Sequence, residues 1–546
     1  MTSSECFPIT IMPHVSQLYR DYLAMAESAD DASVRKWFGA EPFAGKWMGR
    51  ASKAEDAHRL ADLLERQAIE FGASEATKAN ITKLRNGART VVTGQQVVLF
   101  GGPLLTLLKA ATAIARAAEA TKATGIEHVP VFWLATEDHD LEEVDQASFL
   151  TKDSLETLHL QLKPTHAVPV GGLVPPVPAV EAALEHASEL LEFAPVSEWL
   201  RECYLPKDGT SPTLAFAFAR LMARIFAEQG LIVMDPASRE FHALGASTLR
   251  YALEHAAELQ EALITRGAEL VKAGYHSQVL VAEGASQLFL LNEATGERQA
   301  LRRNTENGEV IWKAGGQSYS TAELIAILET APERLSPNAL LRPVFQDTVL
   351  PTAAYVGGPA EIAYFAQSAV LYEAVLGQIT PVLPRLSATL LEPAIAAVMD
   401  KDEVQLPDAL TTADELAQRL GARAMPIEGK RKLAAVGNAL DKELNVLTDY
   451  LTAMDPSLGK AAEVSGSKMR YQMNRLRRMA ATFELQKQTS LEKHAKAITL
   501  NVFPDGHPQE RVVAGILFMA KSGDGLVERL VEIAKNQCPG HVVVRL

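Results

Sequence analysis

Cysteine is scarce in this chain of 546 residues: Cys6, Cys203 and Cys538 are widely separated and fall in no CxxC or Cys/His spacing. Neither a disulfide framework nor a zinc site is expected from such usage, and a reducing compartment is. Long apolar runs are missing too. No stretch of about eighteen or more apolar residues occurs, and Met1-Thr-Ser-Ser-Glu-Cys-Phe-Pro has no basic segment leading into an apolar one, so neither a membrane span nor an export signal is expected. A soluble, cytoplasmic protein is the natural expectation. Positive charge is also short: 53 Lys plus Arg face 67 Asp plus Glu, a formal charge of -14. That balance disfavours nucleic-acid binding through a basic surface, while a local basic pocket for a small anion stays open.

What is present is a large apolar fraction, 47%, enough for two or more domains or for one domain with sizeable insertions. Two segments stand out. Arg89-Thr-Val-Val-Thr-Gly-Gln-Gln-Val-Val-Leu-Phe-Gly-Gly-Pro-Leu and Val129-Pro-Val-Phe-Trp-Leu-Ala-Thr-Glu-Asp-His-Asp each read as a short apolar strand ending in polar residues. Such endings are how a parallel sheet delivers side chains to a crevice at its carboxyl edge. Between them, the Leu104 to Ala118 stretch is rich in strong helix formers, so the unit reads as β-α-β. A third strand, Gly230-Leu-Ile-Val-Met-Asp-Pro, follows the helical Leu214 to Glu228 and places Asp235 at its end. A Rossmann-type α/β core is expected.

Four regions surround that pattern. Residues 1–89 read as a helical lead-in, and residues 90–390 as the core, with insertions near 151–212 and 270–330. The second insertion is expected to be a β meander: Ser277-Gln-Val-Leu-Val, Gln287-Leu-Phe-Leu-Leu, Gln299-Ala-Leu-Arg and Val310-Ile-Trp, with a hairpin turn at Asn307-Gly308. Residues 391–500 read as long helix. Leu433, Leu440, Leu447 and Met454 recur at heptad spacing with Val436, Leu444 and Leu451 beside them; Asp455-Pro456 breaks the run, and Met469, Met473, Leu476, Ala480 and Phe483 form a return arm. Residues 501–546 are expected to return to the core.

The chemistry-bearing residues gather at strand ends. Thr93-Gly94-Gln95-Gln96, with Gly101-Gly102-Pro103 ahead of the helix, would suit a phosphate or carboxylate; the run matches neither GxGxxG nor GxxxxGK[ST]. A plain strand-to-helix turn would also want glycine, but two adjacent glutamines argue for more. Glu137-Asp138-His139-Asp140 sets three carboxylates around one imidazole, which suits general-base chemistry or recognition of an amine. A resident metal is not expected, because these residues are consecutive and no distant ligand pair has matching spacing. His276 is a further candidate for the same crevice. Between Ser336 and Tyr364, Arg342, Gln346, Asp347, Tyr355, Gly357, Gly358 and Glu361 crowd together with little apolar periodicity. A last short strand, Thr380-Pro-Val-Leu-Pro, ends at Arg385 and Ser387.

Taken in order, Thr93 to Pro103, Pro130 to Asp140, Leu341 to Asp347, Tyr355 to Glu361 and Phe503-Pro-Asp-Gly-His-Pro-Gln-Glu-Arg511 resemble the bacillithiol biosynthesis cysteine-adding enzymes, the BshC family. The resemblance implies a Rossmann-type core with connecting-peptide insertions, similar to class I aminoacyl-tRNA synthetases, and an antiparallel coiled coil used for homodimerisation. It also implies a cysteine ligase joining the cysteine carboxyl group to the amine of glucosaminyl-malate. Because that condensation is uphill in water, ATP or another nucleotide is expected, yet the HIGH and KMSKS signatures of those synthetases are absent.

Under this resemblance Gln95, Gln96, Gly101 and Gly102 would bind substrate oxygens, and Glu137, Asp138, His139 and Asp140 would position or deprotonate the amine. Arg342 and Arg385 would meet malyl carboxylates or phosphates, with Gln346, Asp347, Tyr355, Gly357, Gly358 and Glu361 completing the pocket. Arg385, Ser387, Gln509 and Arg511 would form a second, nucleotide or anion site. Two other classes remain open at this level: a sugar-nucleotide or nucleotidyl transferase using the same crevice, and a non-catalytic binding protein using the coiled coil.

Overall fold

The computed structural model describes residues 4–25, 32–39, 41–43, 45–50, 56–205, 211–282, 284–306, 309–523 and 525–546. It divides into two compact units, one of residues 1–149, 156–390 and 510–544, the other of residues 150–155, 391–509 and 545–546.

At the centre of the first unit lies a five-stranded parallel sheet of β1 (Arg89–Gln95), β2 (His128–Leu134), β3 (Ile232–Met234), β4 (Thr352–Gly357) and β5 (Val382–Pro384), in spatial order β5-β4-β1-β2-β3. Strand order reverses between β1 and β4, which makes their carboxyl ends the topological switch point. Every residue of β2 and β4 is buried, as strands covered on both faces must be. Helix α1 (Leu105–Thr124) links β1 to β2; its alanines let it pack closely on the sheet, and it ends at Gly125 in the left-handed conformation (φ 70°). Helix α2 (Pro359–Leu376) follows β4 after a single residue, Gly358.

The insertion near 270–330 is a five-stranded antiparallel sheet of Ala285–Leu291, Arg298–Glu306, Glu309–Ala314, Gln317–Tyr319 and Leu335–Pro337. Ser277–Val281 is not one of its strands. That run lies against α2, where Gln367 bonds both the amide and the carbonyl of Val279 at 2.9 and 2.8 Å, and Leu280 is 90% exposed. Its apolar residues imitate a strand that has no neighbour to pair with. The Asn307-Gly308 turn lies outside the described residues.

A third sheet corrects the reading of the cysteines. Ser4–Pro8 pairs antiparallel with Gly540–Arg545, placing Cys6 opposite Val542, and Cys6 and Cys538 are joined in a disulfide. Cysteine spacing could not show this, because the two lie 532 positions apart and meet only when both chain ends return to one sheet.

The second unit is helical. Ile427–Met454 and Pro456–Lys487 form an antiparallel hairpin that turns at Asp455, whose carboxylate caps the second arm through the Ser457 amide at 2.7 Å. The seam between the arms differs in part from the heptad expectation. Leu444 and Met473 are buried together with Gly437, Gly459, Gly466 and Ala481, whereas Leu447, Met454, Val436, Leu476 and Phe483 are each at least half exposed. The arms close where glycine lets them: a Cβ at Gly437 would run into Arg477.

Candidate active site

The switch point is built from the ends of β1 and β4 and from one lysine. Lys109, on the first turn and a half of α1, is buried and spends its three N–H groups on the Gly94 carbonyl (2.8 Å), Gln95 Oε1 (2.8 Å) and Glu361 Oε2 (2.5 Å). Burial lowers its pKa, and the Glu361 carboxylate works against that. Glu361 also accepts from the Gly358 amide (2.7 Å), capping its own helix, and from the Tyr355 hydroxyl (2.6 Å). Burial would raise its pKa, but Lys109 and these bonds bring it below the ordinary carboxylate value. Gly94 is required by space, since a Cβ there would sit 2.6 Å from the Trp133 carbonyl oxygen on β2. Thr93 donates to the Val356 carbonyl at 2.9 Å and so ties β1 to β4 instead of facing the crevice.

Gly101 and Gly102 have φ of 86° and 74°, which explains the glycines, but the loop they form is not an anion cradle. Its amides are taken: Gly101 by Val98, Gly102 by Leu99, Leu104 by Val513, and Phe100 by the Tyr204 hydroxyl.

At the end of β2 the acidic run divides its work. Glu137 pairs with the fully buried His242 at 2.8 Å; burial alone would lower the histidine pKa, and the carboxylate more than offsets it, leaving it raised. Asp140 caps the short helix Leu141–Val144 through the Glu143 amide. Asp138 accepts from Gln96 Nε2 at 2.6 Å and from the His139 amide at 2.8 Å, and lies 3.8 Å from Arg298 Nη1. His139 is 42% exposed, with its ring 6.1 Å from that of Phe289. Arg298 comes from the inserted antiparallel sheet, held over the Phe289 ring at 3.8 Å and bonded to Ser336 and Pro337. Glu143 receives Gln95 Nε2 at 3.2 Å; partial burial, then Asp140 and Asp138, raise its pKa.

Among the described residues the hydrogen-bond partners of Arg342 are neutral, Gln346 Oε1 (2.9 Å) and the Tyr364 hydroxyl (3.3 Å), with the Tyr355 ring 5.4 Å away. Gln346, fully buried, passes the chain of bonds to Asp347. Asp347 itself faces the opposite edge of the sheet: its partners Tyr372, Thr352 and Thr380 include residues at or before the starts of β4 and β5, and burial raises its pKa. His276 is exposed and bonds Gln278. Among the described residues no group of three or more His, Cys, Asp or Glu is placed to hold a metal ion.

The second anion site does not form from the residues assigned to it. The two terminal nitrogens of Arg385 donate to Glu510 (3.0 and 2.7 Å), Nη1 also to the Leu386 carbonyl (2.7 Å), and Ser387 donates to the Glu510 carboxylate (3.0 Å). Gln509, buried, donates to the Asn501 carbonyl, and Arg511 is exposed. Reading the sequence missed Lys109, His242, Glu143 and Arg298. Only Lys109 left a signal, as a cation in the apolar opening of an alanine-rich helix.

The description "Bacillithiol biosynthesis BshC, N-terminal Rossmann-like domain" matches residues 4–386, and "Bacillithiol biosynthesis BshC, C-terminal coiled-coil domain" matches residues 388–546. The chain belongs to the BshC family. Among relatives, a protein of Koribacter versatilis named putative cysteine ligase BshC is 40% identical over 99% of each chain. Those of Solibacter usitatus (35%, 84% of each chain) and Salinibacter ruber (32%, 96% of each chain) carry the same name. A solved structure described as a putative arginyl tRNA synthetase from Campylobacter jejuni matches at 8% identity over 87% of this chain and 98% of that one, with a TM-score of 0.22, too low to carry an argument. The BshC assignment accords with a Rossmann-like sheet followed by a helical hairpin.

Proposed function

We propose that this BshC chain is a cysteine ligase that joins the carboxyl group of cysteine to the amine of glucosaminyl-malate, the last step of bacillithiol biosynthesis. The observation that carries the reading is the end-to-end match to relatives named as cysteine ligases, 40% identical over 99% of the chain. The crevice supports it chemically. Amide formation needs donors for the carboxyl oxygens and a carboxylate to hold and deprotonate the amine, and Gln95 stands beside Glu143 as Gln96 stands beside Asp138. Within the acidic run, Glu137 and Asp140 are engaged by His242 and the short helix and Asp138 by Gln96, which leaves His139, with Glu143, to meet the glucosaminyl amine. Arg342, bonded to neutral groups, is the guanidinium assigned to a malyl carboxylate.

A free carboxylate does not condense with an amine in water, so the cysteine carboxyl reacts in an activated form, for which ATP or another nucleotide is the expected source. Arg385, Ser387 and Gln509 do not fit a nucleotide, being committed to Glu510 and Asn501, and no step is routed through them. We also assign the helical hairpin to homodimerisation, on the strength of its second, exposed apolar stripe.

Thiol profiling by mass spectrometry in cells lacking this chain tests the reading. Accumulated glucosaminyl-malate without bacillithiol is the expected result. Bacillithiol at its normal level would overturn it.

A further inference from the structure

Gln95 and Gln96 are neighbours in sequence with opposite environments. A lysine ammonium only donates, so the Gln95 atom 2.8 Å from Lys109 Nζ is its carbonyl oxygen, and the amide nitrogen is turned away toward Glu143 at 3.2 Å with a second N–H to give. An ionised carboxylate only accepts, so Gln96 meets Asp138 Oδ2 at 2.6 Å through its nitrogen. Its Oε1 is then a buried acceptor without a hydrogen-bond partner among the described residues. A buried acceptor left unpaired costs about 1–3 kcal/mol, so its persistence at a crevice calls for a donor from a ligand.

The supports are themselves hydrogen-bonded. Lys109 is held on its other two N–H groups by the Gly94 carbonyl and Glu361, and Asp138 is held by the His139 amide. Neither glutamine can flip without placing like against like, nitrogen against ammonium or oxygen against carboxylate.

We infer that Lys109 and Asp138 lock Gln95 and Gln96 in opposite polarity, so that the pair reads the α-carboxylate and the α-ammonium of an amino acid. Gln95 donates to a carboxyl oxygen. Gln96 accepts from the ammonium, and the Asp138 charge adds to that attraction. Lys109 is a positioning residue, acting on the ligand through Gln95. The inference deepens the ligase reading and rests on it for the identity of the amino acid, cysteine.

Calorimetric titration of the full chain with cysteine, cysteamine (no carboxylate) and 3-mercaptopropionate (no amine) tests it. The wild type is expected to bind cysteine about 10-fold or more tightly than either fragment, the usual effect of a hydrogen bond to a charged group. Gln95→Glu keeps the shape and the Lys109 partner but has no N–H to give. It is expected to abolish the preference for cysteine over cysteamine while keeping the preference over 3-mercaptopropionate and an unchanged melting temperature. Lys109→Met is expected to lose the same preference, and if it does not fold, Gln95→Glu still decides. A Gln95→Glu protein that retains the wild-type preference, or a wild type that does not prefer cysteine, overturns the inference. A wild type that shows the predicted selectivity yet forms no bacillithiol from activated cysteine and glucosaminyl-malate would overturn the ligase reading and leave the inference standing.

Discussion

Arg385 and Glu510 bury opposite charges against each other, and the carboxylate gathers further donors from Ser387 and the Ala388 amide. These partners outweigh burial and hold the Glu510 pKa down at about 2. Since the single Ser387 hydroxyl proton goes to Glu510, His541 Nδ1–H donates to Ser387, and Nε2 accepts from Thr389, both at 2.8 Å. The imidazole is satisfied in its neutral form, and burial lowers its pKa to about 4. Both shifts act on the acid side. The unfolded chain takes up the His541 proton from its ordinary value of 6.5 downward, so stability falls between pH 6.5 and 4; the Glu510 contribution is whole above 4.5 and is lost as pH drops toward 2. Urea midpoints are expected to decline from pH 6.5 to 4, and a flat profile would contradict the neutral imidazole. Glu510→Gln leaves the buried Arg385 without a counter-charge, and about 3–5 kcal/mol should disappear from unfolding at pH 7. At this scale sequence reading was strongest where neighbours in the chain are neighbours in space. Gln95 and Gln96 were visible as unusual; Glu510 as the partner of Arg385, 125 positions away, was not.

The helical hairpin shows what periodicity can and cannot tell. A heptad count finds the helices, since any apolar stripe on a long helix returns every seven residues. It does not say which stripe closes the hairpin when two share the period. Here the inner seam runs through Gly437, Leu444, Gly466 and Met473, and glycine carries no hydrophobic signal at all. The outer stripe takes the large residues: Tyr450 is 64% exposed, Met479 58% and Phe483 58%. So large an apolar surface on a helix pair is a candidate interface between two copies. Tyr450→Glu with Met479→Glu is expected to convert a dimer to monomer in light scattering, with the helical circular dichroism unchanged. Leu444→Glu buries a charge in the seam and should instead reduce the helical signal. A double variant that stays dimeric would remove the hairpin from the interface.

The first and last strands of the chain meet only in the finished fold. Ser4–Pro8 is an edge strand whose one hydrogen-bonded neighbour is Gly540–Arg545, and a lone terminal edge strand frays easily. The disulfide between Cys6 and Cys538 fastens it, closing a loop of nearly the entire sequence. In the chain-entropy view a cross-link stabilises chiefly by restricting the unfolded state, and longer loops gain more. Cys6→Ser, or reduction of the wild type, is therefore expected to cost about 2–4 kcal/mol of stability, read as a lower denaturation midpoint. Both treatments should lower it by the same amount, and reduction should leave Cys6→Ser unmoved, because Cys203 is buried and unpaired. Equal midpoints for oxidised and reduced wild type would mean that the strand is held by its hydrogen bonds to Gly540–Arg545 alone. The same comparison bears on the sheet's third strand, Ala388–Leu391, because the Val542 amide donates to the Ser387 carbonyl just before it. Fraying that spreads from Cys6 into Gly540–Arg545 would loosen the His541 hydroxyl pair and let water reach the imidazole, bringing its pKa back toward 6.5, so reduction should also flatten the loss of stability between pH 6.5 and 4.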